Sequence, residues 1–196
     1  MIDLKNKQLI LGSKSPRRKE LLDGLGVDFI IKTKDTDESF PEDMDPFEVA
    51  GYLSKKKGDA FAQELSQDEV FLTADTVVIL NGKILNKPKD KEEAVAMITA
   101  LSGKTHHVVT GISLTHATGQ ITLQDKVKVD FADLSAEEIS YYVNKFSPLD
   151  KAGAYGIQEW IGYVAVGRIE GSFYTVMGLP VHLVYQALKA LIEGGK

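Results

Sequence analysis

The 196-residue sequence predicts an α/β fold in which a mixed, twisted sheet is flanked by helices, with two lobes around a central cleft. Apolar runs of strand length alternate with amphipathic stretches of helix length along the chain. The dipeptide Asn81-Gly82 is a strong hairpin signal within this alternation, so the sheet also contains an antiparallel pair. Because no linker-like stretch divides the sequence, we expect a single domain over residues 1–196.

The first predicted helix begins at a clear N-terminal signal. Ser15 is a favoured N-cap, and Pro16 is a favoured first helical residue because its missing N–H would have no intrahelical partner there. Gly26 supplies the C-terminal stop. The elements predicted in this region are a strand at 9–11, a helix at 16–25, a strand at 27–31 and an acidic loop at 35–45.

Two further helices are predicted from capping signals in the middle of the chain. Asp45 is the expected N-cap of the first, with Pro46 next and Glu48 at the capping-box position. Asp90 and Glu93 form the same pattern at the second helix. The predicted order is a helix at 46–65, a strand at 70–80, a hairpin strand at 83–85, a helix that ends at 102–103 and a strand at 108–114.

The last third of the chain continues the alternation. Val127, Val129 and Phe131 alternate with polar residues, as in a strand with one solvent-exposed face. Ser135 and Glu138 then predict a capped helix. The elements predicted beyond it are a glycine-rich loop at 148–162, a β segment through 169 and a final helix at 180–192.

Composition limits the classes of function. The formal charge of −5 gives no general attraction for nucleic acid or for anionic membranes. Cysteine is absent, which excludes a thiolate nucleophile or metal ligand and is compatible with a reducing compartment. The charged N-terminus lacks the apolar region of a signal peptide, and no apolar run is long enough to span a bilayer. We therefore expect a cytoplasmic protein that binds neither nucleic acid nor membrane.

The start of the first helix predicts an anion-binding site. Arg17 and Arg18 lie in the first turn, where the helix dipole favours acidic side chains, so an anionic ligand would offset their cost. The Ser13 and Ser15 hydroxyls and the free backbone N–H groups can bind the same anion, as polyphosphates are bound at helix N-termini. The alternative is a solvated basic helix end.

Asp75 and Thr76 interrupt the apolar strand predicted at 70–80 near its middle. Burying a carboxylate without partners is costly, so a hydrated metal ion or an activated water would explain Asp75. The alternative is a carboxylate that accepts hydrogen bonds from backbone N–H groups at a strand bend.

Two lysines are candidates for binding phosphate. Pro88 restricts Lys87 to an extended conformation, from which its ammonium group can reach sideways into a cleft. Lys57, on the second predicted helix, can neutralise further phosphate oxygens. The alternative for each is an ordinary solvated surface lysine.

The segment 150–158 contains small residues and two glycines, which allow the backbone to approach a planar ligand closely. The Gln158 amide offers a donor and an acceptor, a combination that suits the imide and carbonyl groups of uracil or thymine. The alternative is a tight structural loop with a surface glutamine.

Two other motifs would indicate a P-loop and a metal site, but their sequence context argues against both. The triplet 103–105 is typical of the end of a P-loop, but position 98 is Ile where Gly is required, and the triplet follows a helix and precedes a strand. His106 and His107 are adjacent in a predicted strand and so point to opposite faces, which argues against a joint metal site. We expect one core-facing and one solvent-facing histidine.

Taken together, these segments resemble the Maf family of nucleoside triphosphate pyrophosphatases over nearly the whole chain, from Leu9 to Leu191. Several ordered motifs at compatible spacings are much harder to obtain by chance than any single one. Gly12 departs from the family pattern, which more often has Ala there. The motifs that support the resemblance are 13–18, 74–76, 87–88, 102–106, 150–158 and 171–180.

The resemblance implies a Maf/ITPase-like fold, a homodimer, and hydrolysis of a nucleoside triphosphate between its α and β phosphates with a divalent cation, Mg or Mn. The intact segment 150–158 is similar to the subgroup that acts on dTTP and UTP, whereas the subgroup that prefers 7-methyl-GTP typically has Glu in place of Gln158. The implied roles are proton acceptor for Asp75, metal binding for Glu38 and Asp75, substrate choice for Arg17, Thr76 and Gln158, and phosphate contact for Ser15, Arg18, Lys57 and Lys87.

Three other functions compete with this one. The chain can be a nucleotide-binding regulator of cell division or septation that does not hydrolyse its ligand, or a 7-methyl-GTP pyrophosphatase. The presence of Asp75, Lys57 and Lys87 together favours an enzyme over a regulator. A non-specific nucleic-acid module is disfavoured by the acidic balance and by the lack of aromatic residues among the basic clusters.

Overall fold

Seven strands form one mixed sheet in the computed structural model, which describes residues 3–193. The strands are β1 (Gln8–Leu11), β2 (Phe29–Ile31), β3 (Glu69–Leu80), β4 (Lys83–Leu85), β5 (Thr105–His116), β6 (Gly119–Phe131) and β7 (Val166–Glu170). Their order across the sheet is β2-β1-β3-β5-β6-β7, and β4 pairs with β3. The predicted α/β class with a mixed sheet is confirmed.

Helices separate most of these strands along the chain. The α-helices are α1 (Pro16–Gly24), α2 (Val49–Asp59), α3 (Lys91–Leu101), α4 (Ala136–Phe146), α5 (Trp160–Ala165), α6 (Phe173–Met177) and α7 (Val181–Glu193). Two short 3₁₀ turns lie at Ala62–Glu64 and Ala152–Ala154. Within residues 3–193, no helix is long and apolar enough to cross a lipid bilayer.

Strand β1 pairs in parallel with β2 on one side and with β3 on the other. Leu9, Ile10 and Leu11 are completely buried, as expected for a strand covered on both faces. The hairpin of β3 and β4 is antiparallel, and Asn81 (φ 50°) and Gly82 (φ 76°) both have the positive φ that a type I′ turn requires. The predicted hairpin is therefore confirmed.

The capping signals predicted for α3 and α4 agree closely with the structure. Ser135 and Glu138 form a complete capping box, in which the Ser135 hydroxyl accepts from the Glu138 N–H and the Glu138 carboxylate accepts from the Ser135 N–H. At α3 the Asp90 carboxylate accepts from the Glu93 N–H at 2.8 Å. The Glu93 carboxylate accepts instead from the Lys89 N–H, one residue before the N-cap.

The helix predicted at 46–65 is shorter at both ends than expected. The Asp45 carboxylate accepts from the Phe47 N–H and forms a turn, so the helix begins only at Val49. At the other end the chain leaves the helix after Asp59, and Phe61 stacks on Phe71 with 3.8 Å between ring centroids. Packing of Phe61 into the core therefore accompanies the early end of α2.

The described residues divide into two compact units. The first unit contains 3–75, 110–125 and 178–193, and the second contains 76–109 and 126–177. The first unit includes β1, β2, α1, α2 and α7, and the second includes β4, α3, α4, α5, α6 and β7. The long strands β3, β5 and β6 each contribute residues to both units.

Candidate active site

Three elements of the first unit bring two carboxylates to one ammonium group. Asp75 lies in β3 with its side chain only 14% exposed, and Lys57 of α2 donates to its Oδ2. The same Lys57 Nζ donates to Oε1 of Glu38, in the acidic loop, at 2.8 Å. Lys57 is thus the charged partner of Asp75 at the point where the apolar strand is interrupted, and it pairs with the Glu38 carboxylate as well.

The start of α1 leaves its N-cap hydroxyl unused by the helix. Ser15 has the extended conformation of an N-cap (φ −69°, ψ 119°), but its side chain makes no capping hydrogen bond. The buried Ser13 hydroxyl instead accepts from the Ser15 N–H at 3.2 Å. The predicted N-cap position is confirmed, although the expected capping bond is absent.

Arg18 connects the start of α1 to the backbone beside Asp75. Its Nη1 donates to the Ala74 carbonyl at 2.8 Å and lies 3.4 Å from the Ser13 hydroxyl. Its Nε donates to the Gly178 carbonyl at 2.8 Å. Arg18 therefore links separate backbone segments of the first unit, in addition to the phosphate contact that the sequence predicts for it.

The charges of this cluster act on one another. Burial lowers the pKa of Arg18, the negative charge of Asp75 raises it, the positive charge of Arg17 lowers it further, and Glu38 raises it. These four side chains are therefore close enough to interact electrostatically. The first unit thus brings together the predicted phosphate-binding arginines and the predicted catalytic carboxylate.

The sequence patterns did not predict a role for Lys56, which binds the acidic loop at the residues before and after Glu38. Lys56 Nζ donates to the Asp37 carboxylate at 2.8 Å and to the Ser39 carbonyl at 2.9 Å. The hydrogen bonds from Lys56 and Ser39 lower the pKa of Asp37. The available signal was the run of three lysines on α2, Lys55 to Lys57, together with the acidic segment 35–45.

The other three candidate residues belong to the second unit. Thr76 follows Asp75 in β3 and is half-buried, and its side chain points to the opposite face of the strand. Lys87 is exposed, and the carbonyl of its neighbour Asn86 accepts from the Gly153 N–H at 3.2 Å. The loop that contains Lys87 therefore contacts the segment 150–158 predicted to approach the ligand.

Gln158 has an unsatisfied acceptor. The residue is half-buried, and its Oε1 atom is buried without a hydrogen-bond partner among the described residues. An unmade hydrogen bond at a buried polar atom costs about 1–3 kcal/mol. A ligand group with an N–H donor would remove that cost.

The two adjacent histidines differ in burial, as predicted. His106 is 1% exposed, and its Nε2 lies 2.8 Å from the Tyr155 hydroxyl. Burial is the main reason that the pKa of His106 is lowered to about 4, and the nearby His107 contributes in the same direction. His107 is half-buried. No group of three or more His, Asp or Glu side chains among residues 3–193 could hold a metal ion by itself.

Comparison with known proteins gives matches along nearly the full sequence. Residues 8–191 match the family described as Maf-like protein. A dTTP/UTP pyrophosphatase of Bacteroides thetaiotaomicron is 50% identical over 190 residues, which cover 96% of this chain and 98% of that protein. A dTTP/UTP pyrophosphatase of Porphyromonas gingivalis is 52% identical over 193 residues, which cover 96% and 97% respectively.

A solved structure also shows similarity. The Ham1 protein of Staphylococcus aureus aligns with a TM-score of 0.49 at 17% sequence identity, and the alignment covers 65% of this chain and 73% of that chain.

Proposed function

This chain belongs to the Maf-like family, and we propose that it is a nucleoside triphosphate pyrophosphatase that hydrolyses dTTP and UTP to the monophosphate and pyrophosphate. The observation that supports this activity most directly is the contact of Lys57 with both Asp75 and Glu38, in the same unit as the arginines of α1. Anion-binding groups and a carboxylate that can accept a proton are the two requirements for hydrolysing a phosphoric anhydride.

Residues of the first unit are proposed to bind the phosphates. Ser15 has a hydroxyl that the helix does not use, and the first turn of α1 offers backbone N–H groups to an anion. Arg17 and Arg18 add guanidinium groups, which suit phosphate oxygens geometrically. Lys57 supplies an ammonium beside the reacting carboxylate, and we propose that Lys87 of the second unit binds further phosphate oxygens.

Asp75 is proposed to act as the general base. A water molecule attacks the α phosphorus, its proton passes to an Asp75 carboxylate oxygen, and the bond to the bridging oxygen breaks to release pyrophosphate. Lys57 contacts the same carboxylate and so partly balances its charge before the proton arrives. No covalent enzyme intermediate is required.

The carboxylates of Glu38 and Asp75 fit a divalent cation, Mg or Mn. Carboxylate oxygens are the ligands that these ions prefer, and both groups already converge on one positive charge. Two carboxylates with substrate phosphates are a common set of ligands for Mg²⁺. When bound, such a cation would neutralise charge on the phosphates and acidify a coordinated water.

Gln158 is proposed to recognise the base, with Arg17 and Thr76 contributing to substrate choice. Its unsatisfied Oε1 can accept from the N3–H group of uracil or thymine, and its amide nitrogen can donate to a neighbouring carbonyl of the base. Cytosine has an acceptor at N3 in place of that donor. This difference supports a preference for dTTP and UTP.

The test is a panel of nucleoside triphosphates assayed with Mg²⁺ or Mn²⁺ and scored for pyrophosphate against orthophosphate. We expect pyrophosphate release that is fastest with dTTP and UTP. Preference for 7-methyl-GTP would assign the chain to the other subgroup. Binding of nucleotides without release of pyrophosphate would support the regulator instead.

We also propose that the active form is a homodimer in the cytoplasm, as the family resemblance implies. Several large apolar side chains of the second unit are exposed, and Tyr163 of α5 is 81% exposed. Light scattering after size-exclusion chromatography should give twice the chain mass of 21.5 kDa. A mass of one chain at micromolar concentration would contradict the dimer.

A further inference from the structure

A buried polar network surrounds the residue next to Gln158. The Glu159 carboxylate accepts from the Tyr142 hydroxyl through Oε2, and Lys151 Nζ lies 3.1 Å from its Oε1. The Tyr142 oxygen in turn accepts from the Gly156 N–H at 3.0 Å. The Tyr142 hydroxyl is thus hydrogen-bonded to Gly156 and to Glu159, which lie on either side of Gln158 in the sequence.

This network is buried to a degree that is unusual for charged groups. Tyr142 is completely buried, and the side chains of Lys151 and Glu159 are only 9% and 19% exposed. Burial and the hydrogen bond to Glu159 raise the pKa of Tyr142 above its usual value, so its hydroxyl holds its proton more strongly than that of an exposed tyrosine.

Stability alone does not account for such a network. Buried ion pairs lose hydration, and apolar residues of similar volume are often as stable in their place. A buried network of hydrogen-bonded charges instead fixes the local geometry, because few other arrangements of the side chains would satisfy every donor and acceptor.

Packing restricts the same stretch of backbone. A Cβ atom on Gly156 would lie 2.9 Å from Cδ of Glu159 and 3.1 Å from Cε of Lys151, so the network packs directly against the glycine. The Glu159 N–H also donates to the Gly156 carbonyl at 3.0 Å. The backbone is therefore held two residues before Gln158 and one residue after it.

Gln158 itself contrasts with these neighbours. The polar side chains next to it have partners, but its Oε1 is buried without one. We propose that Tyr142, Lys151 and Glu159 are positioning residues for base selection, which hold Gln158 so that this oxygen faces the N3–H of uracil or thymine. This inference rests on the proposed function, and it makes base selection by Gln158 depend on three residues that are not themselves proposed to touch the nucleotide.

The test compares Tyr142→Phe with Tyr141→Phe, since both changes remove one hydroxyl from adjacent positions of α4. Tyr141 is 43% exposed, and its hydroxyl accepts only from Lys145 in the described contacts. We expect Tyr142→Phe to lower the ratio of kcat/KM for UTP to that for CTP about tenfold, through a higher KM for UTP at nearly constant kcat. Tyr141→Phe should leave that ratio within about twofold of the original value.

A double-mutant cycle separates positioning from general damage. In the Gln158→Ala background, Tyr142→Phe should change the UTP to CTP ratio by less than about twofold, because the amide to be positioned is gone. If Tyr142→Phe lowers kcat/KM equally for both nucleotides, or has the same effect on the ratio in both backgrounds, the inference is overturned.

A second variant covers the case in which Tyr142→Phe folds poorly. Glu159→Gln keeps the shape and an acceptor for Tyr142 but removes one of the two carboxylate charges that pair with Lys151, the other being Asp150. It should also lower the UTP to CTP ratio. An unchanged ratio in a Glu159→Gln protein with the original thermal stability would overturn the inference.

Hydrogen exchange distinguishes failure of this inference from failure of the proposed function. Without any nucleotide, the amide of Gly156 should exchange at least about tenfold faster in Tyr142→Phe than in Tyr141→Phe, because its acceptor is lost. Unchanged exchange overturns the network as a positioning device. If the unmodified chain releases no pyrophosphate from any nucleotide, the proposed function fails, and base selection by this network fails with it even where the exchange difference is seen.

Discussion

Asp75 can be tested as the general base by a change that preserves its shape. Asp75→Asn keeps a hydrogen-bond acceptor for Lys57 but removes the group that takes the proton from water. We expect kcat for UTP to fall by about 10²–10⁴-fold, which is the usual contribution of a general base, while nucleotide binding stays measurable.

Steady-state pyrophosphate release measures this effect, and isothermal titration with UTP measures the binding. Asp59→Asn is a matched control, since Asp59 is an exposed carboxylate that pairs with Lys55 at the end of α2. Release of pyrophosphate at the original rate by Asp75→Asn would remove the residue from the mechanism.

Burial of neutral His106 makes the stability of the fold depend on pH. The pKa of His106 is about 4 in the folded chain against 6.5 for an unperturbed histidine, so between these pH values the unfolded state binds more protons. The stability due to neutral His106 is therefore complete above about pH 6.5 and is lost as pH falls toward 4. A proton on Nδ1 would also lack a hydrogen-bond partner among the described residues.

We expect this single group to make the free energy of unfolding about 2 kcal/mol lower at pH 5 than at pH 7. Urea unfolding at both pH values measures the difference, and His106→Gln, which still offers Tyr155 a hydrogen bond, should reduce it by that amount. An unchanged pH dependence in His106→Gln would show that His106 is not the cause.

Local sequence patterns were enough to single out candidate site residues, but not to predict the contacts of those residues. Asp75 stands out because it interrupts an apolar strand, and Arg18 because it opposes the helix dipole. The bonds of Arg18 to Gly178, 160 residues away, and of Lys56 to Asp37 join distant parts of the chain, and no local pattern encodes them. The departure at Gly12 also becomes clear only in the structure, where a Cβ would lie 2.4 Å from the ring of Phe71.

At the scale of elements, local signals located the starts of α1, α3 and α4 well, but they misplaced both ends of α2. The capping box of Ser135 and Glu138 and the turn at Asn81-Gly82 were predicted because a few adjacent residues determine them. The early end of α2 coincides with the packing of Phe61 against Phe71, and α6 has only five residues, too few for a helical period to show. Features of this kind are not encoded in a few adjacent residues, so sequence patterns did not predict them.

Helix α2 places Lys57, and its close approach to the sheet depends on glycine. A Cβ on Gly58 would lie 2.4 Å from the Thr115 hydroxyl and 2.5 Å from the Gln120 amide nitrogen, and these two groups are hydrogen-bonded to each other at 2.9 Å. Gly58→Ala should therefore destabilise the fold by about 1–3 kcal/mol, as overpacking does.

Urea unfolding measures the loss, and UTP hydrolysis measures any displacement of Lys57. Gly24→Ala is the matched control, because it also lies in a helix and its Cβ would meet no atom within 4 Å. That change should be neutral or stabilising by up to about 1 kcal/mol, since alanine favours helix more than glycine does. Equal stability of the two variants would mean that α2 does not need the close contact.

At the scale of the whole molecule, the α/β class and the mixed sheet followed from the alternation of patterns, and the family followed from ordered motifs. The single domain over 1–196, the cleft, the homodimer and the cytoplasmic location stay predictions. The strand order could not be predicted, because β1 pairs not only with the next strand β2 but also with β3, which lies much further along the chain.

Ligand binding should stabilise the whole fold, because a nucleotide that binds only the native state shifts the unfolding equilibrium. With UTP at a hundred times its Kd, Asp75→Asn should gain about 2.7 kcal/mol. For a chain of this size that gain corresponds to a rise in Tm of about 5–10 °C. Differential scanning calorimetry with Mg²⁺ measures the rise, and CTP at the same concentration is the control, for which a smaller rise is expected.

Hydrogen exchange shows which parts of the chain respond to that binding. Pyrophosphate should slow exchange in peptides that contain 13–18, since these residues are proposed to bind phosphate, but should leave 150–158 unchanged. UTP should slow exchange in both segments, because Gln158 is proposed to recognise the base. Protection of 150–158 by pyrophosphate alone, or no protection of 13–18 by either ligand, would contradict this assignment of the phosphate and base contacts.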